Sequence, residues 1–307
     1  MLTFGSRLAG AVSLTLAIAA IAGCGSSSSS SSRSGASATA STTSATADAG
    51  VVALVPAAVK RKGTLTVAAD ASYAPNEFIG ADGHTVVGMD ADLSKALAAV
   101  MGFKANVVNA TFDTIIPGLA SGKYDLGASS FTDTKAREKV VDFVDYFEAG
   151  TSFFTKASGG TSITGLADLC GRSVSVESGT TEETDAKAQS AKCKVAGKPA
   201  VGVLVYPTQS AANLALSSGR AQVSMADSPV AAYQVKQSNG AFKLVGETYG
   251  TAPYGLAIPK NLGITKAVQA GVLALMKDGA YASILAKWGV TSGAIPASEV
   301  NINGAPS

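Results

Sequence analysis

One pattern appears twice along this chain, and it restricts the fold more than any single motif. Gly63-Thr-Leu-Thr-Val-Ala-Ala-Asp70 is echoed by Gly171-Arg-Ser-Val-Ser-Val-Glu-Ser178, and Leu119-Ala-Ser-Gly-Lys-Tyr-Asp-Leu126 by Leu216-Ser-Ser-Gly-Arg-Ala-Gln-Val223. In each case a helix ends at Ser-Gly and a strand begins almost at once. Around the first copy, Thr64 to Ala69 reads as a strand and Asp90 to Met101 as a helix. Leu93, Leu97 and Val100 fall on one face of that helix, and Gly102 stands at the C-terminal cap position. Lys104 to Val108 and Tyr124 to Ser129 read as further strands, with a helix over Thr111 to Ala120 between them. Strands alternating with helices imply parallel sheets with crossover helices. Two such runs in the same order predict two lobes of similar build, residues 57–154 and 155–251. A strand over Tyr254 to Ile258 and helices near Ile264 to Met276 and Tyr281 to Trp288 return to the first lobe, which then comprises 57–154 plus 252–291. Residues 292–307 are left as a tail.

The first 55 residues have a different character. Arg7 precedes an apolar run from Leu8 to Ala22, about 15 residues long and short of the roughly 20 that cross a bilayer as a helix. Residues 1–23 therefore read as a secretory signal peptide. The run ends in Ile21-Ala22-Gly23-Cys24, which resembles the lipobox of bacterial lipoproteins, where the cysteine receives lipid and becomes the new N-terminus. Gly25, an unbroken serine run from Ser26 to Ser32 and a Ser/Ala/Thr-rich stretch follow. Such a composition buries too little apolar surface to offset its ordering entropy, so 24–55 reads as a flexible tether. With Cys24 lipidated, Cys170 and Cys193 form an even pair in an oxidising compartment, where a structural disulfide is expected.

Composition closes off several function classes. The 307 residues carry a formal charge of +2 with scattered Lys and Arg, whereas a nucleic-acid binder needs a basic stripe. The single histidine, His84, argues against a histidine metal site or a Ser-His-Asp triad, and no CxxC spacing exists. No cofactor is implied. Gly118-Leu-Ala-Ser-Gly-Lys123 is too short for a phosphate loop, and no G-x-S-x-G elbow occurs.

In open parallel sheets, ligands bind beyond the carboxyl ends of the strands. Asp70-Ala-Ser-Tyr73, Ser129-Ser-Phe-Thr132, Ser178-Gly-Thr-Thr181 and Ala226-Asp227-Ser228 stand there. Small polar groups with a few acids and aromatics suit a compact charged molecule.

Those same residues carry a resemblance. Asp70-Ala-Ser-Tyr-Ala-Pro-Asn-Glu-Phe78, Val87-Gly-Met-Asp-Ala-Asp-Leu93, Phe112-Asp-Thr-Ile-Ile-Pro-Gly-Leu119, Ser129 to Arg137 with Val141-Asp-Phe143, Ser178-Gly-Thr-Thr-Glu182 and Met225-Ala-Asp227 are similar, in that order, to the polar amino acid class of bacterial extracellular solute-binding proteins. The resemblance implies an α/β fold of two Rossmann-like lobes with a ligand cleft between them, the type II periplasmic-binding-protein arrangement. It implies a monomer that captures an amino acid and passes it to an ABC transporter permease, without catalysis. By the same resemblance, Arg137 would clamp the ligand's carboxylate, whose geometry its fork matches. Backbone N–H groups at Thr132 and Thr181 would complete that anion site. Asp227 with Ser130 would take the ammonium, and Tyr73 and Phe112 would sandwich the side chain. Many relatives carry an aromatic residue where this chain has Asn76, which predicts a more polar pocket. Arg137 and Asp227 balance a zwitterion, leaving Asp70 and Glu182 in excess, and uncompensated acids favour a cationic side chain. Two alternatives use the same cleft: a dehydratase acting on a small cyclic acid, with Glu182 as acid, and a sensor signalling to a membrane receptor.

Overall fold

A computed structural model describes residues 46–306. The expected signal peptide, Cys24 and most of the expected tether lie outside the described residues. The last residues assigned to the tether do not behave as one. Asp48 accepts the N–H of Val51 at 3.0 Å and so caps helix α1 (Ala49–Ala53), whose Val51 is buried. Val55 and Val59, the latter in α2 (Ala57–Lys60), join the same core. Asp48 also donates its N–H to the Val100 carbonyl. The folded region therefore starts at residue 48 and not after 55, because a few valines among alanines suffice to cover an apolar patch.

The strands follow in chain order: β1 (Thr64–Ala69), β2 (Ser72–Tyr73), β3 (Glu77–Ile79), β4 (Val86–Val87), β5 (Lys104–Asn109), β6 (Leu126–Gly127), β7 (Val141–Lys156), β8 (Ser173–Glu177), β9 (Gly202–Tyr206), β10 (Val223–Asp227) and β11 (Phe242–Pro259). Eight of them hydrogen-bond in the order β5-β1-β6-β11-β7-β10-β8-β9, and β2, β3 and β4 form a small antiparallel sheet. The pairs β1/β5 and β1/β6 are parallel, as are β8/β9 and β8/β10. The echo in the sequence thus corresponds to two three-stranded parallel blocks. The antiparallel pair β7/β11 joins them, with register shifts between Val245 and Tyr249, Tyr249 and Ala252, and Tyr254 and Gly255.

These two long strands differ from expectation. The sequence pattern places the lobe changes at 154/155 and 251/252, but both points fall inside continuous strands of 16 and 18 residues. Gly246, Gly250 and Pro253 punctuate β11, which hides its first half from a reading based on strand propensity. Strand β6 is shorter than Tyr124 to Ser129, because Ser129 and Ser130 leave the ladder to make side-chain bonds.

The helices are α3 (Met89–Val100), α4 (Phe112–Ala120), α5 (Thr181–Val195), α6 (Gln209–Ser217), α7 (Ser228–Gln237), α8 (Thr265–Lys277) and α9 (Ala280–Trp288). Both Ser-Gly signals act as read: Ser121 and Ser218 cap α4 and α6, and Gly122 and Gly219 follow at φ 77° and 79°. Gly88, at φ 129°, lets the chain enter α3 where any side chain would collide with the Asn76 backbone. Leu93, Leu97 and Val100 of α3 pack with Val268, Val272 and Leu275 of α8 in the larger core. A separate core in the second block gathers Phe153, Val174, Val176, Ala186 and Met225.

Cys170 and Cys193 are bonded, pinning α5 beside the start of β8. Closing a loop of 23 residues stabilises by about 3 kcal/mol on the chain-entropy account. Replacing both cysteines by alanine should lower the melting temperature by roughly 6–12 °C in a calorimetric scan. A change below about 2 °C would show that the bond adds little to what packing already secures.

Candidate functional site

The carboxyl ends of β1, β6, β8 and β10 converge, and the residues after them enclose one pocket. Its walls are Asp70, Tyr73, Glu77, Phe112, Ser129, Ser130 and Thr132 from one side, and Glu177, Thr180, Thr181, Glu182 and Asp227 from the other. Eight of the nine residues proposed from sequence as ligand-binding are there, and the ninth, Arg137, stands beside them against Phe112. The pocket's free volume is about 10 Å³, room for roughly one water. An amino acid therefore enters only if the two sides separate. A larger groove of about 470 Å³ lies along Phe147, Glu148, Tyr233 and Trp288, and none of the nine residues proposed from sequence lines it.

Side chains close the pocket across the lobes. The Tyr73 hydroxyl donates to Asp227 Oδ2 at 2.9 Å and accepts the Asp227 backbone N–H at 3.0 Å. Asp227 precedes α7 without capping it by its side chain, so the carboxylate is turned into the pocket and away from the helix end. Arg137 donates Nη1–H to the Thr132 carbonyl at 2.8 Å on its own side, and Nη2–H to the Gly179 carbonyl at 3.0 Å on the other. Its guanidinium lies over the rings of Phe112 and Phe131, 5.3 and 5.6 Å from their centroids. Phe112 and Phe131 stack at 4.5 Å. In this arrangement Phe112 supports Arg137, and Tyr73 engages Asp227; both rings still face the pocket. Gln209 N–H to Ser72 Oγ and Ser178 Oγ–H to Asp113 Oδ2 add two further links between the lobes.

The first lobe's polar wall is built in depth. Asp70 accepts the N–H of Phe112 at 3.0 Å, at the start of α4, and that of Ser72 at 3.1 Å. Ser129 donates to Glu77 Oε1 at 3.0 Å and accepts the Asp70 N–H at 2.8 Å. Ser130, at φ 50°, is one of the few non-glycine residues in the left-handed region, a strained geometry that the surroundings must enforce. Its N–H donates to Asp90 Oδ2 at 2.6 Å, and Asp90 also accepts the Tyr146 hydroxyl. Asn76 donates to Ser130 Oγ at 2.9 Å from behind. It does not line the pocket, so the more polar pocket predicted from it does not arise there. Across the pocket, Thr181 opens α5, where helix N–H groups have no intrahelical partner. Thr151 donates to Glu182 Oε1 at 2.7 Å.

Four further residues line the pocket: Ser129 and Thr180, which lie in the strand-end stretches read from sequence but carry no assigned role there, and Glu77 and Glu177, which the sequence reading does not place facing a ligand. Glu177 is the most consequential, 2% exposed at the end of a strand whose preceding residues are apolar or small, with Oε1 lacking a partner. An acid closing a buried parallel strand at its carboxyl end was the available signal. Together Asp70, Glu77, Glu177, Glu182 and Asp227 bring five carboxyl groups to one small space. Burial, then neighbouring carboxylates, push Glu77, Glu177 and Asp227 well above the usual carboxylate range. Asp70 is also raised, by burial first.

Over residues 65–291 the chain matches the bacterial extracellular solute-binding proteins, family 3. It is 36% identical over 252 residues to the arginine-binding protein ArgT of Corynebacterium glutamicum, covering 82% of each chain. Against the ABC transporter glutamine-binding protein GlnH of Bacillus subtilis it is 30% identical over 209 residues, 66% of this chain and 72% of that one. Among solved structures, an ancestral arginine-binding protein bound to arginine superposes with a TM-score of 0.68 at 39% identity, covering 74% of this chain and 98% of the other. The ancestral amino acid-binding protein AncCDT-1, a precursor of cyclohexadienyl dehydratase, gives 0.67 at 34% identity, covering 75% and 97%. The chain belongs to family 3 of the bacterial extracellular solute-binding proteins, and its fold is the two-lobed α/β fold of amino acid-binding proteins.

Removing one hydroxyl tests how the lobes are latched. Tyr73→Phe leaves the Asp227 carboxyl and N–H each short of a partner, which costs about 1–3 kcal/mol. The variant should show a larger radius of gyration by small-angle X-ray scattering than the parent protein. An unchanged scattering profile would mean that the latch lies elsewhere.

Proposed function

We propose that this family member captures a cationic amino acid, of the arginine or lysine class, by closing lobe 57–154 plus 252–291 onto lobe 155–251. It then delivers the ligand to an ABC-type permease. One observation carries the reading: five carboxyl groups face the pocket and one guanidinium stands at its edge. A zwitterion balances Arg137 against Asp227. The remaining acids have no protein cation among the pocket walls, so a ligand bringing a second positive charge relieves their repulsion. Relatives named as arginine-binding support the same class.

Each residue then has a task. Arg137 reaches the ligand carboxylate by exchanging the Gly179 carbonyl for a carboxylate oxygen, a stronger charge-assisted bond. Thr132 and the N-terminus of α5 at Thr181 supply N–H groups to the same carboxylate. Asp227 and Ser130 hold the ammonium. Asp70, Glu177 and Glu182 receive the cationic head group, whose stem lies between Tyr73 and Phe112. The strands β7 and β11 pass from lobe to lobe without interruption and bend at their register shifts, which makes them the pivot for closure. The protein works without catalysis in this reading. A dehydratase using an acid and a lysine is disfavoured because no lysine lines the pocket among the described residues. Lipid on Cys24 and the serine-rich segment after it would hold a monomer at the outer face of the membrane, within reach of the permease.

A thermal-shift screen tests the ligand class, using protein stripped by unfolding and refolded. Arginine or lysine at about a thousand times its dissociation constant adds roughly 4 kcal/mol, hence a rise of roughly 8–16 °C. A larger shift with glutamine or glutamate would overturn the cationic assignment, and no shift with any amino acid would overturn capture of amino acids. Arg137→Ala and Asp227→Ala should each weaken binding by about 3–5 kcal/mol, since each strands an opposite charge in a desolvated site. Near-parental affinity in both variants, measured by titration calorimetry, would refute the placement of the zwitterion.

A further inference from the structure

The last residues of the described chain lie beyond the part that matches the family, yet they are built into the first lobe. Ile302 bridges to Val144 on β7, the Asn301 carbonyl accepts the Asp145 N–H at 2.9 Å, and Asn303 donates its N–H to the Phe143 carbonyl at 3.1 Å. Asn303 Oδ1 accepts the Phe143 N–H at 2.8 Å. The segment then crosses to the loop that carries Arg137. The Ala305 N–H reaches Asp133 Oδ2 at 3.1 Å and Glu138 Oε1 at 3.3 Å, and Lys135 Nζ reaches the Asn303 carbonyl at 3.5 Å. These contacts grip the loop on both flanks of Arg137. On its other side the loop is fixed to β11, through Asp133 N–H to the Pro253 carbonyl and a Thr132–Tyr254 bridge.

Under the segment, Asp133 and Asp145 are each 1% exposed, and both Asp145 oxygens and Asp133 Oδ1 have no conventional donor. Two buried carboxyls in contact are satisfied if one keeps its proton and donates to the other. No side chain fits at Gly304, where a Cβ would collide with the Asp145 carboxyl.

We propose that Val300–Ala305 is a strap, fastened over the Asp133–Asp145 pair, which positions the Arg137 loop and so sets ligand affinity without touching the ligand. The affinity part rests on the reading that Arg137 holds the ligand carboxylate. Burial, with the Asp133 charge next, pushes Asp145 up to about 8, and burial, with Glu138 next, pushes Asp133 up to about 6. Lys135 opposes both shifts. Asp142 faces Asn303 from β7, paired with Lys260 just beyond the end of β11. A carboxyl released from the strap would titrate near its ordinary value of about 4, so fastening takes up protons. The strap is therefore firmest in acid and loosens as pH rises from about 4 to about 8.

The test compares the parent protein with Asp145→Asn and Ala305→Pro, reading hydrogen–deuterium exchange in the peptide spanning 131–140 and the dissociation constant for arginine. The amide introduced by Asp145→Asn keeps a donor toward Asp133 at every pH. Parent and Asp145→Asn should therefore agree best near about pH 4.5 and diverge as pH rises. By about pH 9.5 the parent should exchange faster in this peptide and bind about tenfold more weakly than Asp145→Asn. Ala305→Pro, which removes the N–H shared by Asp133 and Glu138, should speed exchange in the same peptide and weaken binding about tenfold at both pH values. The strap is refuted if Ala305→Pro leaves exchange and affinity unchanged, or if Asp145→Asn follows the parent across the pH range. Failure of the parent to bind arginine would instead count against the proposed ligand, and the exchange comparison would still decide whether the strap exists.

Discussion

Carboxyl groups from opposite halves of the molecule meet in a space barely large enough for one water, and most of the site's behaviour follows from that meeting. Asp70 and Glu177 line the pocket from opposite lobes, and Asp227 lies near Glu182. Buried like charges at such range repel by several kcal/mol unless protons or a cation intervene. Burial first, and this repulsion after it, hold Glu77, Glu177 and Asp227 well above the ordinary carboxylate range. In the proposed reading, a ligand with an ammonium and a cationic head group would displace protons from these carboxyls and satisfy the same oxygens. The proposed selection for cationic amino acids and its linkage to pH would then be two consequences of one arrangement.

The fold delivers the carboxyls by a simple rule: parallel blocks place their strand ends at the same edge, and the antiparallel β7/β11 pair turns the two edges toward each other. What stands at each end is then fixed from behind. Ser130 is held in its left-handed conformation by Asp90 and Asn76, and Asp90 in turn accepts from Tyr146 on β7. Asp70 is oriented by backbone N–H groups of Ser72 and Phe112. Such supporting bonds hold a site to the fraction of an ångström that charged recognition requires.

Much of this is legible before any coordinates. The doubled strand–helix pattern implies the parallel blocks, since a crossover connection leaves few other solutions. Asp70, Tyr73, Phe112, Ser130, Thr132, Thr181, Glu182 and Asp227 all line one pocket, because strand-end residues in such sheets have nowhere else to point. Glu177 escapes, since a strand reading assigns its last residue to packing. The long β7 and β11 escape for a different reason: their pairing is antiparallel and mutual, so glycines and a proline that break a local propensity are tolerated at bulges. Helix α1 reads as tether because alanine and valine look alike in a linker and in a thin helix until a neighbouring surface is present to bury them. The C-terminal strap carries no periodic signal at all; its contacts run largely between backbone and side chain and exist only in the folded chain.

The claim that the pocket's carboxyls surrender protons to a cationic ligand is open to one direct measurement. Arginine binding would be followed by titration calorimetry near about pH 6.5 in two buffers of different ionisation enthalpy, whose difference counts the protons exchanged. Because burial raises the carboxyls and a cation lowers them again, the account predicts a net release of protons when arginine binds. Binding with no proton exchanged, or with net uptake, would contradict it, because the carboxyls would then be ionised before the ligand arrives or neutral after it.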